Sequence, residues 1–263
     1  MPVTSKDNQW VKEWRSLCTD ARRRRESGAF AIEGARLCED ALASGVALRA
    51  VLYTAAARQT YAAVVERLID AAEQAVEISP ELSRYMGDTT NPQGVFCIAK
   101  SLDNLLTLDK IDIIGIYGAL EDMQDPGNLG TVIRTAEAMG LDGLLLSAGC
   151  CDVYNPKVLR SSMGGVFRLP LLITENMAQT VAALQEKGLT AFACVVDSDA
   201  EPVHSAGLGK GCVALIGNEG NGLRPATVAA CARRVTIPMG GRAESLNASM
   251  AAGIVLWEMT RPR

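Results

Sequence analysis

The stretch that decides the fold is VALIGNEGNGL (Val213–Leu223), followed after a short helical segment by VTIPMGGRAESLNASMAAGIVLWEM (Val235–Met259). Val213–Ile216 is apolar, bounded by glycine and too short for a helix, which predicts a buried central parallel strand. Gly217, Gly220 and Gly222 then permit tight turns and close approach to bare backbone. Val235–Ile237 repeats the pattern, with Pro238 stopping the strand and Gly240–Gly241 loosening the chain behind it. Ser245 or Asn247 is placed to cap the helix that runs through Trp257. Two ligand-sized loops at the carboxyl ends of neighbouring parallel strands define the crevice in which open α/β sheets bind small molecules.

Upstream, DPGNLGTVIRTAEAMG (Asp125–Gly140) presents a third loop-to-helix transition. Taken in order, it and the segments IGNEGNGL and IPMGGRAESLNASMAA resemble the three motifs of the SpoU (TrmH-type) branch of the SPOUT RNA methyltransferases. The resemblance implies a fold that pattern does not show: a deep trefoil knot, in which the last segment passes through an earlier loop. Knots run against the general rules of chain connection, so only the motifs support this one.

At 263 residues the chain is long enough for one large domain or two ordinary ones. Hydrophobic content of 48% with 21% charged residues is that of a soluble globular protein. No apolar run approaches the ~20 residues of a membrane span, and Met1–Arg25 is too polar for a signal peptide. Eight scattered cysteines without a CxxC pair predict reduced, mostly buried thiols in a cytoplasmic protein. The net charge of −4 lacks the strongly basic footprint of many nucleic-acid binders, so RNA contact requires a local patch. Arg22, Arg23, Arg24 and Arg25 are the candidate. By themselves they suit a solvated helix end; beside the motif resemblance they are expected to contact phosphate.

The chain alternates strands and helices. A helical segment over 1–25 is followed by a strand at Gly28–Gly34, a helix at Ala35–Ser44, a strand at Leu48–Tyr53 and a helix at Arg58–Ala75. A strand at Ala75–Ile78, a helix from Pro80 and a strand at Gly94–Ala99 complete an α/β sandwich of about a hundred residues. FAIEGARLCEDALASG (Phe30–Gly45) and NPQGVFCIAK (Asn91–Lys100) resemble the substrate-binding domain often fused ahead of SpoU catalytic domains, which has a ribosomal-protein-like fold. Residues 101–110 read as a linker, giving a substrate-binding domain over 1–105 and a methyltransferase domain over 106–263. In the second domain, strands are expected at Asp112–Tyr117, Gly143–Leu146, Leu169–Ile173 and Thr190–Val196. Helices are expected at Leu129–Met139, Pro156–Met163 and Met177–Lys187.

Several chemistries are excluded by residue supply. His204 is the single histidine, so neither a Ser-His or Cys-His nucleophile nor a His-based zinc site can be assembled. No metal is expected: Asp197 and Asp199 lack convergent partners. GLGKGC (Gly207–Cys212) lacks the phosphate-loop order, and no dinucleotide fingerprint is present.

The resemblance implies S-adenosylmethionine as cofactor, held bent in the knot by positions matching Gly217, Ile237 and Leu246, with Met239 nearby. It carries the catalytic roles to Asn128, Arg134, Glu219, Ser245 and Asn247. The implied reaction is 2′-O-methylation of ribose, with ribosomal RNA the favoured substrate and transfer RNA the alternative. A non-catalytic RNA-binding or assembly protein that retains the fold is the reading from a different class. The resemblance also implies a homodimer through the C-terminal domain. Leu246–Trp257 is apolar around more of its circumference than one covered face needs, which agrees with that.

Overall fold

The computed structural model describes residues 1–102 and 106–262. The chain divides into two compact units. One comprises Met1–Asp103 with Tyr154–Phe167, the other Asn104–Val153 with Arg168–Arg263. The expected boundary at 105, and residues 103–105 of the expected linker, lie outside the described residues.

The first unit opens with α1 (Gln9–Thr19) and α2 (Ala21–Ser27), where the sequence predicts one helix over 1–25. Asp20 makes the break: its backbone is extended, and its carboxylate accepts from the amides of Arg22 and Arg23 to start the second helix. There follow β1 (Ala29–Glu33), α3 (Ala35–Ala43), β2 (Leu48–Tyr53), α4 (Ala55–Thr60), α5 (Ala62–Ala71), β3 (Ala75–Glu77), α6 (Pro80–Met86) and β4 (Val95–Lys100). The helix expected over Arg58–Ala75 is thus two helices hinged at Tyr61. The strands form a mixed sheet in the order β1-β4-β2-β3, with only the β2–β3 pair parallel. Trp14 and Leu17 of α1 pack with Ala31, Leu52, Phe96 and Ile98 of the sheet and with Leu82 and Met86 of α6.

The second unit begins its sheet with β5 at Ile116–Leu120, four residues later than expected. Asp112–Gly115 instead make a turn, in which the carboxylate of Asp112 accepts from the amide of Ile114. Next come α7 (Pro126–Ala138) and β6 (Gly143–Ser147). Helix α8 (Pro156–Ser162) belongs to the first unit, where Tyr154 stacks on Phe30 at a 4.5 Å centroid distance. After the short α9 (Gly165–Arg168), the second unit resumes with β7 (Leu171–Thr174), α10 (Met177–Glu186), β8 (Thr190–Cys194) and the two-residue β9 (Glu201–Pro202). It ends with β10 (Cys212–Ile216), α11 (Pro225–Ala230), β11 (Arg233–Thr236) and α12 (Ala248–Thr260).

This sheet is parallel throughout, in the order β7-β6-β5-β10-β8-β11-β9. Strands β10 and β11, expected side by side, are separated by β8, and the direct neighbour of β10 on the other side is β5. After β11 the chain nevertheless turns back, since α12 packs against α7, β10 and β5. That return is the one a trefoil knot requires.

All eight cysteines are free thiols. Burial pushes Cys18, Cys194 and Cys231 up to about 12. Among the described residues, no helix is long and apolar enough to cross a membrane.

One expected RNA contact is corrected. Arg24 is buried, at 4% exposure, and its Nη1 donates to the carbonyl oxygens of Leu17 (2.6 Å) and Cys18 (3.4 Å) in the last turn of α1. Those carbonyls have no intrahelical donor, so the guanidinium closes the helix end rather than facing a ligand. Arg22, Arg23 and Arg25 are exposed, and Arg22 pairs with Glu26. Arg24→Ala should therefore cost about 1–3 kcal/mol of stability through the carbonyls it strands. Arg23→Ala should stay within roughly 0.5 kcal/mol. Urea unfolding of the two variants checks this, and equal midpoints would return Arg24 to the surface.

Candidate active site

The site is built at the carboxyl ends of β5 and β10. The chain leaves β5 through Glu121, a carboxylate only 1% exposed. Its carboxylate accepts from Thr227 Oγ1 (2.6 Å) and from the amide of Arg224 (2.8 Å). Asp122 follows with φ +56°, a left-handed conformation uncommon outside glycine. Its amide donates to Ser147 Oγ at 2.9 Å, and its carboxylate takes two hydrogen bonds from Arg224 at 2.8 and 2.9 Å. Asp125 then caps α7 by accepting from the amide of Asn128 at 2.8 Å. The helix accordingly starts at Pro126 rather than Leu129, and Asn128 sits inside its first turn.

The loop behind β10 closes on itself. Asn218 and Gly222 exchange backbone hydrogen bonds at 3.1 and 2.9 Å, and Asn218 Oδ1 accepts from the amides of Gly220 and Asn221. Asn218 Nδ2 donates to the carbonyl oxygen of Asp122 at 2.8 Å, fastening this loop to the previous one. Gly217 lies so close to the returning backbone that a Cβ there would meet the carbonyl carbon of Gly222 at 2.1 Å. Only glycine fits.

The third loop behaves differently. Residues 238–247 are all exposed, and 238–246 make no hydrogen bond among the described residues. Order returns at Asn247, whose Oδ1 accepts from the amides of Ser249 (3.0 Å) and Met250 (3.3 Å) to cap α12. Of the two expected caps, Asn247 serves and Ser245 does not.

Three sequence-predicted residues from three motifs meet. Asn128 Nδ2 donates to Glu219 Oε1 at 2.7 Å, and Asn247 Nδ2 donates to Asn128 Oδ1 at 3.1 Å. Arg134 does not join them. Six residues on, it stands about 9 Å further along α7 and about 120° around it. It is exposed, and its side chain makes no hydrogen bond or ion pair among the described residues. Ser245 is likewise exposed and unbonded. Ile237 is half-buried at the end of β11, while Met239 and Leu246 are each 37% exposed.

Glu121, Asp122, Ser147, Arg224 and Thr227 were not singled out from sequence. The one available signal was the pair of acids directly behind a strand, and their partners lie 25 to 106 residues away. No group of three or more metal-ligating side chains occurs among the described residues.

Residues 116–257 match the SpoU rRNA Methylase family, more than half of the chain. The protein belongs to this family. Residues 8–97 match the MRM3-like substrate binding domain. A relative from Bacillus subtilis (strain 168), 23S rRNA (guanosine(2553)-2′-O)-methyltransferase RlmP, is 30% identical over 98% of each chain. The 23S rRNA (uridine(2479)-2′-O)-methyltransferase of Streptomyces viridochromogenes is 30% identical, covering 99% of this chain and 92% of its own. The structure resembles that of an AdoMet-bound rRNA methyltransferase from Sinorhizobium meliloti. The TM-score is 0.86 at 30% identity, covering 98% of this chain and 96% of the other.

The SpoU methylase therefore has the two-domain SPOUT fold, with an α/β substrate-binding domain ahead of a trefoil-knot methyltransferase domain. Its third loop fits the family's methyl donor by donor chemistry. Peptide groups without intramolecular partners stand beside the apolar walls of Ile237, Met239 and Leu246, which suits a purine edge and a thioether-like chain. Gly217→Ala should open the loop behind β10, lowering S-adenosylmethionine affinity at least about tenfold and stability by roughly 1–3 kcal/mol. Calorimetric titration alongside thermal unfolding measures both, and unchanged affinity would detach Gly217 from the cofactor.

Proposed function

We propose that this SpoU methylase transfers the methyl group of S-adenosylmethionine to a ribose 2′-hydroxyl of ribosomal RNA, acting in the cytoplasm. The observation that carries this reading is the Glu219–Asn128–Asn247 chain, which joins all three signature loops at one end of the sheet. The two relatives named for 2′-O-methylation of 23S rRNA support ribosomal over transfer RNA as substrate.

When bound, S-adenosylmethionine supplies an electrophilic sulfonium methyl group, so neither a covalent enzyme intermediate nor a metal is required. The protein's task is positioning and electrostatics. Gly217, Ile237, Met239 and Leu246 hold the cofactor. Asn128, by donating to Glu219 and accepting from Asn247, fixes the loops around the acceptor ribose, and Ser245 orients its hydroxyls. Arg134 meets the substrate. A guanidinium is a poor base, and its use here is a two-pronged hold on the phosphate beside the target ribose, which eases loss of the 2′-hydroxyl proton. The exposed Arg22, Arg23 and Arg25 add phosphate contacts from the substrate-binding domain.

The protein acts as a homodimer through its C-terminal domain. On α12, Met250 and Trp257 stand seven residues apart on one face and are 59% and 54% exposed. A large apolar helix face of this kind marks an association surface. A second copy also provides a route by which Arg134 of one chain reaches the loops of the other. Sedimentation at micromolar protein should give the dimer mass. A concentration-independent monomer would remove that route.

Arg134→Ala should lower the single-turnover rate of methyl transfer at least about a hundredfold, the scale of removing one preorganised charge-stabilising group. Cofactor affinity should stay within a few-fold, and Arg134→Lys should rescue poorly because a point charge cannot reproduce the planar fork. Near wild-type turnover by the Ala variant, read by mapping 2′-O-methylation on ribosomal RNA, would overturn the assignment.

A further inference from the structure

The cations of the first unit are not equally available to a ligand. Over residues 1–100 the sequence carries 13 Lys and Arg against 13 Asp and Glu. Among the described residues, ion pairs join Lys12 with Asp7, Arg22 with Glu26, Arg49 with Glu13, Arg58 with Glu66, Arg67 with Glu39, Arg84 with Glu81 and Lys100 with Glu73. Arg24 is spent on carbonyl oxygens. Lys6, Arg15, Arg23, Arg25 and Arg36 remain without a carboxylate among the described residues.

Two of these five meet on a single aromatic ring. Lys6 Nζ stands 4.2 Å from the centroid of the Tyr85 ring, and the guanidinium carbon of Arg15 stands 4.8 Å from it. The cations are therefore no more than about 9 Å apart. The two cations and the ring come from three separate segments: Lys6 from the chain ahead of α1, Arg15 from α1 itself and Tyr85 from α6. Arg15 is further fixed by donating from Nη1 to the carbonyl oxygen of Tyr85 at 3.1 Å. Asp7, next to Lys6, is engaged by Lys12, and Glu81, one helical turn before Tyr85, by Arg84. Tyr85 is itself exposed, at 38%.

A ring face orders a cation without neutralising it. Lys6 keeps its three donors, and Arg15 keeps most of its five. This is an arrangement for an anion rich in acceptor oxygens, spread over the span of two cations. We propose that Lys6, Arg15 and Tyr85 form an RNA-binding platform, the two cations holding backbone phosphate while the ring fixes their positions. The proposal rests on RNA being the substrate. It places the phosphate contact on an assembled tertiary cluster, in addition to the exposed arginines of α2.

The test is the salt dependence of RNA binding by the full chain, read by fluorescence anisotropy with a labelled ribosomal RNA fragment. Each phosphate contact contributes roughly 0.7–0.9 to the slope of log K against log salt. The double variant Lys6→Gln/Arg15→Gln should flatten that slope by about 1–2 and weaken binding at low salt at least about tenfold. Tyr85→Leu, which retains both charges but not the ring, should weaken binding by a smaller factor. Arg58→Gln, a cation already paired with Glu66, should leave the slope unchanged. Cofactor affinity should remain that of the wild type in every variant, and circular dichroism checks that each is folded. An unaltered slope and affinity in the double variant overturns the platform. If the wild-type protein binds RNA but methylates none, the activity reading fails while the slope still decides the platform.

Discussion

The carboxylate of Glu121 is the interaction on which the catalytic half depends. It is buried at the end of β5, and its two oxygens accept from Thr227 Oγ1 and the Arg224 amide, just ahead of and within α11. A buried charge left without such partners costs several kcal/mol, so the turn after β5 and the start of α11 are held to one arrangement. Asp122 extends the tie through Arg224 and Ser147, and Asn218 completes it from the next loop. The fit is close enough that Gly149 must lack a side chain, since a Cβ there would meet Asp122 Oδ1 at 2.0 Å. With the loops behind β5 and β10 made one body, Asn128 and Glu219 are brought to hydrogen-bonding distance across 91 residues of sequence.

Against this rigid pair stands the third loop. Among the described residues, 238–246 make no hydrogen bond, whereas the loop behind β10 uses Asn218 to satisfy its own amides. The two loops thus divide the work. One provides a fixed wall, with Gly217 pressed against the backbone of Gly222. The other presents exposed peptide groups beside the side chains of Met239 and Leu246. Asn247 marks where the open segment ends, capping α12 while also reaching Asn128. A residue placed for helix capping is therefore also part of the polar chain through the site.

The first unit follows a different economy of charge. Most of its arginines and lysines are neutralised where they stand, and Arg24 is turned inward as a helix cap. A near-neutral domain can still hold a polyanion if its few uncompensated cations are gathered and ordered, which is what the Tyr85 ring does for Lys6 and Arg15. A count of charges along the chain cannot distinguish the two kinds.

The local patterns in the sequence determined much of this protein. The apolar run Val213–Ile216 and the glycines behind it specify strand and turn from neighbouring residues alone, and the structure has both. The three ordered motifs likewise identified the family and the SPOUT fold. What the sequence did not determine are relations between distant residues. It set β10 beside β11, whereas β8 lies between them, because strand order depends on how crossover helices pack and not on order along the chain. It counted Arg24 with its neighbours, although helix α2 turns that one side chain onto the carbonyls of α1. It passed over Glu121 and Arg224, whose meaning arises only when segments 103 residues apart meet. Periodicity and turn chemistry are short-range and can be read directly. Burial and pairing of charge are set by the whole folded chain, and only the tertiary structure decided them.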